Sequence, residues 1–406
     1  MPVHPSSTRR GLLLGGLGAG LAGMLPAGVG ELPAGQGDPR KVGSNGNAEV
    51  PSTLVSLADY GGRPGVAPAI LAGAFHQGFA ALAAAGGGTL FVPGGLYDFG
   101  TLVDDAAVLC RDARDIAISA YGATFVGRTP ARSIPNLFYF FNFYNVTVAG
   151  ASFIDRGFTP WFNWQGMYCV GLQADAPSSR FRMVDCSAQR VVGLLSTHNN
   201  ATTRRFLEDV SVQGEVRDTY YGVSASCIQR GVDVDLTCHN VRRAFIAYAL
   251  QDARIAVRLA TTLDWPGSNG LVALVSGGAH LGNVENVRVS VDVTGASIHG
   301  SYVHFYHQGP ERLGVMRDID ATVNAVHLRG ANSLFSFDHE TDGVRRRTSR
   351  TWDRIALHGK IVGPFTGKVV SNASVSDAPG TVYLDRNLAA LADRDGLAPN
   401  FRVRPP

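Results

Sequence analysis

Two series of short segments, each alternating apolar with polar residues, follow one another along most of the chain. Such alternation is typical of β-strands with one buried face. The first series comprises residues 145–148, 180–184, 209–212, 232–236, 254–257, 286–291 and 353–357. The second series comprises residues 167–172, 193–197, 222–226, 244–248, 270–274, 301–305 and 333–337. The pattern predicts an all-β body.

The second series repeats at the spacing of a solenoid. From residue 193 onward its segments start at 193, 222, 244, 270, 301 and 333, which gives intervals of 22 to 32 residues. One coil of a β-solenoid with loops of variable length has this spacing. A β-sandwich would have shorter intervals and tight hairpins, and a propeller would have a more constant period. The spacing therefore predicts a parallel β-helix.

A helix between two glycine-rich turns precedes the repeats. Residues 57–62 read LADYGG, residues 68–85 are alanine-rich and predict a helix, and residues 86–97 read GGGTLFVPGGLY. This order resembles the N-terminal cap of the pectate lyase superfamily, although residues 63–67 replace the family's usual aspartates. The resemblance implies a right-handed parallel β-helix with an N-terminal capping helix.

The N-terminus carries an export pattern. Arg9 and Arg10 precede a short Gly- and Leu-rich run that ends near Leu25, which resembles a twin-arginine signal peptide. The run is shorter than the about 20 apolar residues of a membrane span. We expect residues 1–34 to be signal and cleavage region, residues 35–50 to be a flexible linker, and residues 51–400 to be one β-helix domain in the periplasm or outside the cell.

Composition narrows the function only slightly. The net charge is +3, and two of these charges belong to the export pattern, so nothing favours nucleic-acid binding. Five cysteines lack the close spacing of a zinc site, and we expect most to be buried strand residues, with a disulfide between adjacent coils as the alternative. They are Cys110, Cys169, Cys186, Cys227 and Cys238.

The second series also predicts which side chains lie on one outer face. Large apolar residues at alternate positions identify the core side; they are Val303, Phe305, Phe335 and Phe337. The outward residues are then Tyr302, His304, Tyr306, Ser336 and Asp338, with Ser196 and His198 in an earlier coil. Neighbouring coils lie about 5 Å apart, so these polar side chains are expected to lie together and exposed.

This combination suits lytic cleavage of a uronate-containing glycan. The reaction needs a cation beside the carboxylate, a base for the adjacent proton and an acid for the leaving oxygen, and His and Tyr suit the two proton transfers. An Arg before the strand at 244–248 is the candidate cation. The alternative is a sugar-binding groove without reaction. The candidate catalytic residues are His304, Tyr306, Tyr302, His198, Asp338 and Arg243.

Loops supply candidate substrate-binding residues. Residues 155–164 interrupt the coil rhythm with two tryptophans, and a second loop repeats an acid next to a tryptophan. Sugar faces stack on tryptophan, and binding residues concentrate on loops of rigid scaffolds. The alternative is that the tryptophans fill a coil edge. The candidates are Trp161, Trp164, Arg156, Arg242, Trp265 and Asp264.

An acidic cluster raises the question of a metal. Asp338, Glu340 and Asp342 stand at alternate positions, as ligands of Ca²⁺ can. Arg345, Arg346 and Arg347 follow directly, and a self-paired solvated surface is the competing interpretation. We assign no metal site and keep Ca²⁺ as the one cofactor hypothesis.

Three classes of function remain open. They are a polysaccharide lyase or related uronan epimerase, a glycoside hydrolase, and a non-catalytic glycan-binding β-helix. The sequence lacks the signatures of galacturonan hydrolases and of the best-known pectate lyases. A hydrolase needs two carboxylates about 5 to 10 Å apart, for which Asp338 with Asp264 or Asp218 are the candidates. The expected partner is a polysaccharide, without a membrane span, and a homotrimer is a candidate assembly.

Overall fold

The computed structural model describes residues 53–159, 165–199, 207–225, 229–261, 270–277, 282–295, 300–308, 314–328, 333–339, 351–371, 380–392 and 401–403. Its strands pair in parallel with the strands of the coils before and after them. This confirms the predicted all-β parallel β-helix. Residues 1–52 lie outside these ranges, so the export signal and the linker remain predictions. No helix within the described ranges has the length and apolarity to cross a bilayer.

The strands differ in length because the longer ones bend around a corner of the coil. β12 pairs with β13 over residues 229–239 and with β14 over residues 245–248. The strands are β1 (Leu54–Ser56), β2 (Gly88–Phe91), β3 (Gly95–Thr101), β4 (Ala106–Ser119), β5 (Ala123–Arg128), β6 (Asn136–Ala149), β7 (Ser152–Asp155), β8 (Tyr168–Ala174), β9 (Ser178–Gln189), β10 (Gly193–Asn199), β11 (Leu207–Ala225), β12 (Gln229–Tyr248), β13 (Leu250–Thr261), β14 (Val272–Gly277), β15 (Val284–Thr294), β16 (Ser301–Gln308), β17 (Val315–Val326), β18 (Ser333–His339), β19 (Thr351–Val362), β20 (Lys368–Ser371), β21 (Gly380–Leu384) and β22 (Phe401–Val403).

A helical cap closes the N-terminal end of the core, as predicted. Ser56 caps a short 3-10 helix (Leu57–Tyr60), and Gly61 ends it with a φ of 82°. Helix α1 (Pro68–Ala84) follows, with proline in its first turn, where no backbone N–H is needed. Phe75 of α1 lies against Phe138 of the coil below, at a ring-centroid distance of 5.1 Å. A second helix, α2 (Arg386–Ala392), lies near the C-terminus.

A column of residues in left-handed conformation forms one corner of the coils, with φ between 51° and 69°. Six of the nine are Asp or Asn, which adopt this conformation at lower cost than most residues. Hydrogen bonds link successive coils: Asn145 Nδ2 donates to Asp115 Oδ1 at 2.6 Å, and Asn286 Nδ2 to Asp252 Oδ1 at 2.7 Å. The column is Asp115, Asn145, Arg180, Asp209, Gly231, Asp252, Asn286, Asp318 and Arg354.

One continuous ladder, called sheet 1 below, carries the second predicted series. It consists of β8, β10, β14, β16, β18 and β20 with the adjoining parts of β4, β6, β11 and β12. Its core side is as predicted, because Val303, Phe305, Phe335 and Phe337 are fully buried. The rings of Phe305 and Phe337 stack at 4.6 Å, so adjacent coils pack directly on one another.

The cysteines within the described ranges are buried free thiols, as most were predicted to be; they are Cys110, Cys169, Cys186 and Cys238. Burial raises the pKa of the Cys186 thiol to about 11, which keeps this group neutral. Cys227 lies outside the described ranges.

Candidate functional site

The outer face of sheet 1 brings three of the predicted residues together. His304 and Tyr306 are two residues apart on β16 and therefore share one face. Tyr306 is in register with Asp338 of β18. His304 Nε2 lies 3.0 Å from Asp338 Oδ2, and the rings of His304 and Tyr306 are 5.6 Å apart. A histidine, a carboxylate and a phenol thus meet on two adjacent coils.

The prediction that His304 is exposed is wrong. Only 5% of the residue is accessible, whereas 45% of the Asp338 side chain is accessible. The imidazole lies on the outer face, but Gly270 packs against it: a Cβ atom on Gly270 would lie 2.5 Å from His304 Cβ. In the described part of the chain, Nδ1 of His304 has no hydrogen-bond partner. Asp338 therefore holds one of the two ring nitrogens.

Tyr302 does not belong to this group, which corrects its predicted orientation. It is 1% exposed, it packs within the main core cluster, and burial raises its pKa well above the usual value for tyrosine. The strict alternation fails because the chain turns a corner as it enters sheet 1. Two consecutive residues then face the core in three successive coils: Leu271 and Val272, Tyr302 and Val303, and Leu334 and Phe335.

Arg243 lies at the start of the sheet-1 part of β12, partly buried. Its Nε donates to the carbonyl oxygen of Gly270 at 3.1 Å. Burial lowers its pKa, and nearby Tyr221 opposes the shift; a guanidinium remains charged under these conditions. Among the residues that the structure describes, no carboxylate lies within ion-pair distance of Arg243. The guanidinium is thus a cation whose counter-ion is not supplied by this part of the chain.

Gly270 joins these two halves of the site. Its carbonyl oxygen accepts a hydrogen bond from Arg243 Nε, and the absence of a side chain leaves the space that His304 occupies. Sequence reasoning placed Gly270 only as the start of a strand segment. The signal was a glycine directly before a buried strand, which is typical of a close backbone approach.

Aromatic residues form a second apolar cluster on the outer face of sheet 1. Arg242 belongs to its edge, because its guanidinium lies 5.7 Å from the ring centre of Tyr220. The ring of Phe158 meets the ring of Tyr220 edge to face at 5.6 Å, so the loop after β7 reaches this face. Sequence analysis did not identify the tyrosines of this cluster. Its buried members are Phe158, Tyr168, Val192, Tyr220, Tyr221, Ile246, Tyr248, Ala273 and Val275.

Asp155 anchors that loop. It is fully buried, and its carboxylate accepts hydrogen bonds from Thr129 N and Oγ1, Gly157 N and Met167 N at 2.6 to 3.0 Å. Four donors around one buried carboxylate fix the base of the loop. The sequence analysis included Asp155 in a sugar-binding loop, and the structure instead gives it a structural role.

Arg156 is not brought to the site. It is exposed and pairs with Asp98 of β3 at 2.8 Å, on the β3–β5–β7 ladder rather than on sheet 1. The assignment of Arg156 as a substrate-binding residue therefore stays a prediction, and the structure does not bring it into contact with His304. Asp218 likewise lies at a corner, where it accepts a hydrogen bond from Asn240, and it is not placed opposite Asp338.

Several predicted residues cannot be located on the site. The backbone of His198 lies on β10 in register with Gln173 of β8, within sheet 1. Within the described ranges, no group of three or more His, Cys, Asp or Glu side chains could hold a metal ion. The calcium hypothesis stays a prediction, since Glu340 and Asp342, two of its three carboxylates, lie outside the described ranges. The predicted residues outside the described ranges are Trp161, Trp164, Asp264, Trp265, Glu340 and Asp342.

Comparison with known proteins gives no family assignment. No family model and no curated protein matches the sequence. Solved structures with some likeness include an exopolygalacturonase of Thermotoga maritima, at 12% identity over 83% of this chain and 88% of that chain, with a TM-score of 0.43. A tailspike protein of an E. coli bacteriophage, in complex with a hexasaccharide, has 12% identity over 86% of this chain and 78% of its own, with a TM-score of 0.37. The A-module of a mannuronan C-5 epimerase of Azotobacter vinelandii has 12% identity over 81% and 100% of the two chains, with a TM-score of 0.23. At these values the likenesses do not bear on what this chain binds or does.

Proposed function

We propose that this protein is a carbohydrate-active enzyme that cleaves a uronate-containing polysaccharide by β-elimination. One observation carries the proposal: Arg243, a cation without a carboxylate partner in the described chain, contacts the same glycine that packs against the His304–Asp338 pair. Lytic cleavage needs a cation and a base side by side, and this arrangement supplies both.

The charge of the outer face fits an acidic substrate. Within the described ranges, a sheet-1 strand has up to three outward positions, those in register with Arg243, His304 and Asp338. At these positions the described residues include three fixed cations, Arg111, Arg243 and Lys368, and a single carboxylate, Asp338, which is bonded to His304. A positively charged surface attracts and orients a negatively charged polymer.

Arg243 is assigned to the carboxylate of the substrate. A guanidinium binds a carboxylate through two parallel N–H···O bonds, and the group is partly desolvated here, which strengthens the interaction. Withdrawal of charge from the carboxylate makes the proton on the adjacent carbon more acidic. The stabilisation grows as negative charge develops on that carbon, as catalysis requires.

His304 is assigned as the base and Tyr306 as the acid. Nδ1 of His304 takes the proton from the carbon next to the carboxylate, while Asp338 holds the ring and stabilises the imidazolium that forms. The electron pair of that C–H bond becomes a C=C bond, and the bond from the next carbon to the glycosidic oxygen breaks. The leaving oxygen takes the proton of the Tyr306 hydroxyl, and water restores both side chains.

Hydrolysis has less support from the same face. It needs two carboxylates at one groove, and among the outward sheet-1 positions described above Asp338 is the one carboxylate. A binding protein needs no base, and the His304–Asp338 pair would then serve only packing.

A panel of polysaccharides tests the proposal. Purified protein is incubated with polygalacturonate, alginate, hyaluronan and neutral dextran, and both near-ultraviolet absorbance and reducing ends are followed. We expect absorbance and reducing ends to rise together on at least one uronate polymer and on no neutral one. Reducing ends without absorbance would indicate hydrolysis, and neither signal would indicate a binding protein; either result overturns β-elimination.

A further inference from the structure

A second group of side chains on the outer face of sheet 1 lies far from His304. Arg111 of β4 is in register with Phe141 of β6, and its guanidinium carbon lies 4.7 Å from the centre of the Phe141 ring. Both side chains are partly exposed. Among the residues described, Arg111 has no carboxylate partner. A partly exposed cation over a partly exposed aromatic ring thus lies on this face.

Polar groups flank this pair on β6 itself and on β8 of the next coil. The hydroxyl of Tyr139 donates a hydrogen bond to Oε1 of Gln173, and both side chains are partly exposed. Gly171 of β8 is in register with Tyr139, and a Cβ atom there would lie 2.5 Å from Tyr139 Cδ2. Because Gly171 has no side chain, no atom projects from β8 against the Tyr139 ring at this position. An aromatic platform, an amide and a cation together suit an acidic sugar, whose faces are apolar and whose edges carry hydroxyls and a carboxylate.

The separation of this group from His304 follows from the register. Six parallel ladders lead from β6 to β16. At about 4.8 Å for each ladder, the two groups lie about 29 Å apart along the axis of the helix. A polymer lying along this face can reach both groups, whereas a short oligosaccharide can reach only one.

We propose that Arg111, Phe141, Tyr139 and Gln173 form a distal subsite that binds an acidic sugar of the same polymer chain that His304 acts on. The proposal rests on the proposed function for the nature of the polymer, but not for its binding. Arg111 pairs with the sugar carboxylate, Phe141 or Tyr139 stacks on a sugar face, and Gln173 bonds a hydroxyl. The protein then favours long chains over short ones.

The test measures binding without turnover. A His304→Ala protein is run through native gels that contain polygalacturonate, alginate, hyaluronan or dextran, and it is compared with the same protein carrying Arg111→Ala and Phe141→Ala. Arg288→Ala is the matched control, because Arg288 is an exposed arginine of β15, outside sheet 1. Thermal melting confirms that each variant is folded.

We expect the double substitution to weaken retention by a uronate polymer by at least about tenfold, the loss expected for a charge-assisted contact, and Arg288→Ala to leave it unchanged. Binding of a tetrasaccharide of the same polymer should fall by less, because a tetrasaccharide that lies beside His304 does not reach the distal subsite. Equal retention of the double variant and the control, or an equal loss for tetrasaccharide and polymer, would overturn the distal subsite. If wild-type protein shows no lytic activity while the double variant still loses retention, the distal subsite stands and the proposed reaction falls.

Discussion

His304 Nε2 lies 3.0 Å from Asp338 Oδ2, although 34 residues separate the two in the chain. The contact exists because β16 and β18 are neighbouring coils in strict register, which places Tyr306 beside Asp338 and His304 diagonally across from it. The carboxylate fixes the orientation of the imidazole, and in the proposed reaction Nδ1 is the nitrogen that takes the proton.

Asp338→Asn should lower turnover by about 10²- to 10⁴-fold, the usual range for a lost proton-transfer partner. The amide retains the shape of the side chain but cannot stabilise an imidazolium. Because nearly half of the Asp338 side chain is exposed, the melting temperature should change by only a few degrees. Initial rates and thermal melting measure both effects, and turnover within twofold of wild type would show that Asp338 is not needed.

Gly270→Ala should abolish most of the turnover with the fold intact. The new methyl group would lie 2.5 Å from His304 Cβ. Either His304 or the Gly270 carbonyl, which accepts the hydrogen bond from Arg243, must therefore shift. Gly73→Ala is the matched control, since a Cβ at Gly73 of α1 has no neighbour within 4 Å. That control should gain about 0.5–1 kcal/mol of stability and retain full activity. Equal activity of both variants would remove Gly270 from the site.

The two tyrosines of β16 should behave oppositely. Tyr306→Phe removes the proposed acid and should lower turnover by about 10²-fold or more. Tyr302→Phe removes a hydroxyl from a buried residue and should cost about 1 kcal/mol of stability without affecting turnover. Rates measured beside denaturant unfolding separate the two effects, and an inactive but stable Tyr302→Phe would reverse our orientation of the strand.

Export can be tested independently of the site. We propose that Arg9 and Arg10 direct the chain through the twin-arginine route, and replacement of both by Lys should leave the precursor in the cytoplasm. Cell fractionation followed by immunoblotting measures this. Unchanged export of the Arg9→Lys, Arg10→Lys variant would remove the assignment.

The fold and the core could be predicted because both depend on local patterns. Alternation and repeat spacing gave the coils, and proline with an alanine-rich run gave α1. The corner column was present as Asn145, Asp209 and Asn286 at the starts of predicted strands, but its left-handed conformation depends on the stacking of coils. The sequence pattern could not distinguish these corner residues from ordinary strand residues.

The site was predicted only in part. His304, Tyr306 and Asp338 follow from alternation, which holds in the middle of β16. Tyr302 was misplaced because alternation fails where the chain turns a corner. The burial of His304 and the contact of Arg243 depend on Gly270, which is 27 residues from Arg243 and 34 from His304. No local pattern encodes such a contact.

The formation of unsaturated product by His304→Ala, with Phe305→Ala as its neighbour control, tests the central claim most directly. We predict that His304→Ala forms no product that absorbs in the near ultraviolet, still binds the uronate polymer and stays folded, with a lower melting temperature because a buried side chain is removed. Phe305→Ala, whose ring is fully buried against Phe337, should lose about 3–5 kcal/mol of stability, yet its folded fraction should retain activity. A folded His304→Ala protein that forms unsaturated product at the wild-type rate would contradict the assignment of His304 as the base.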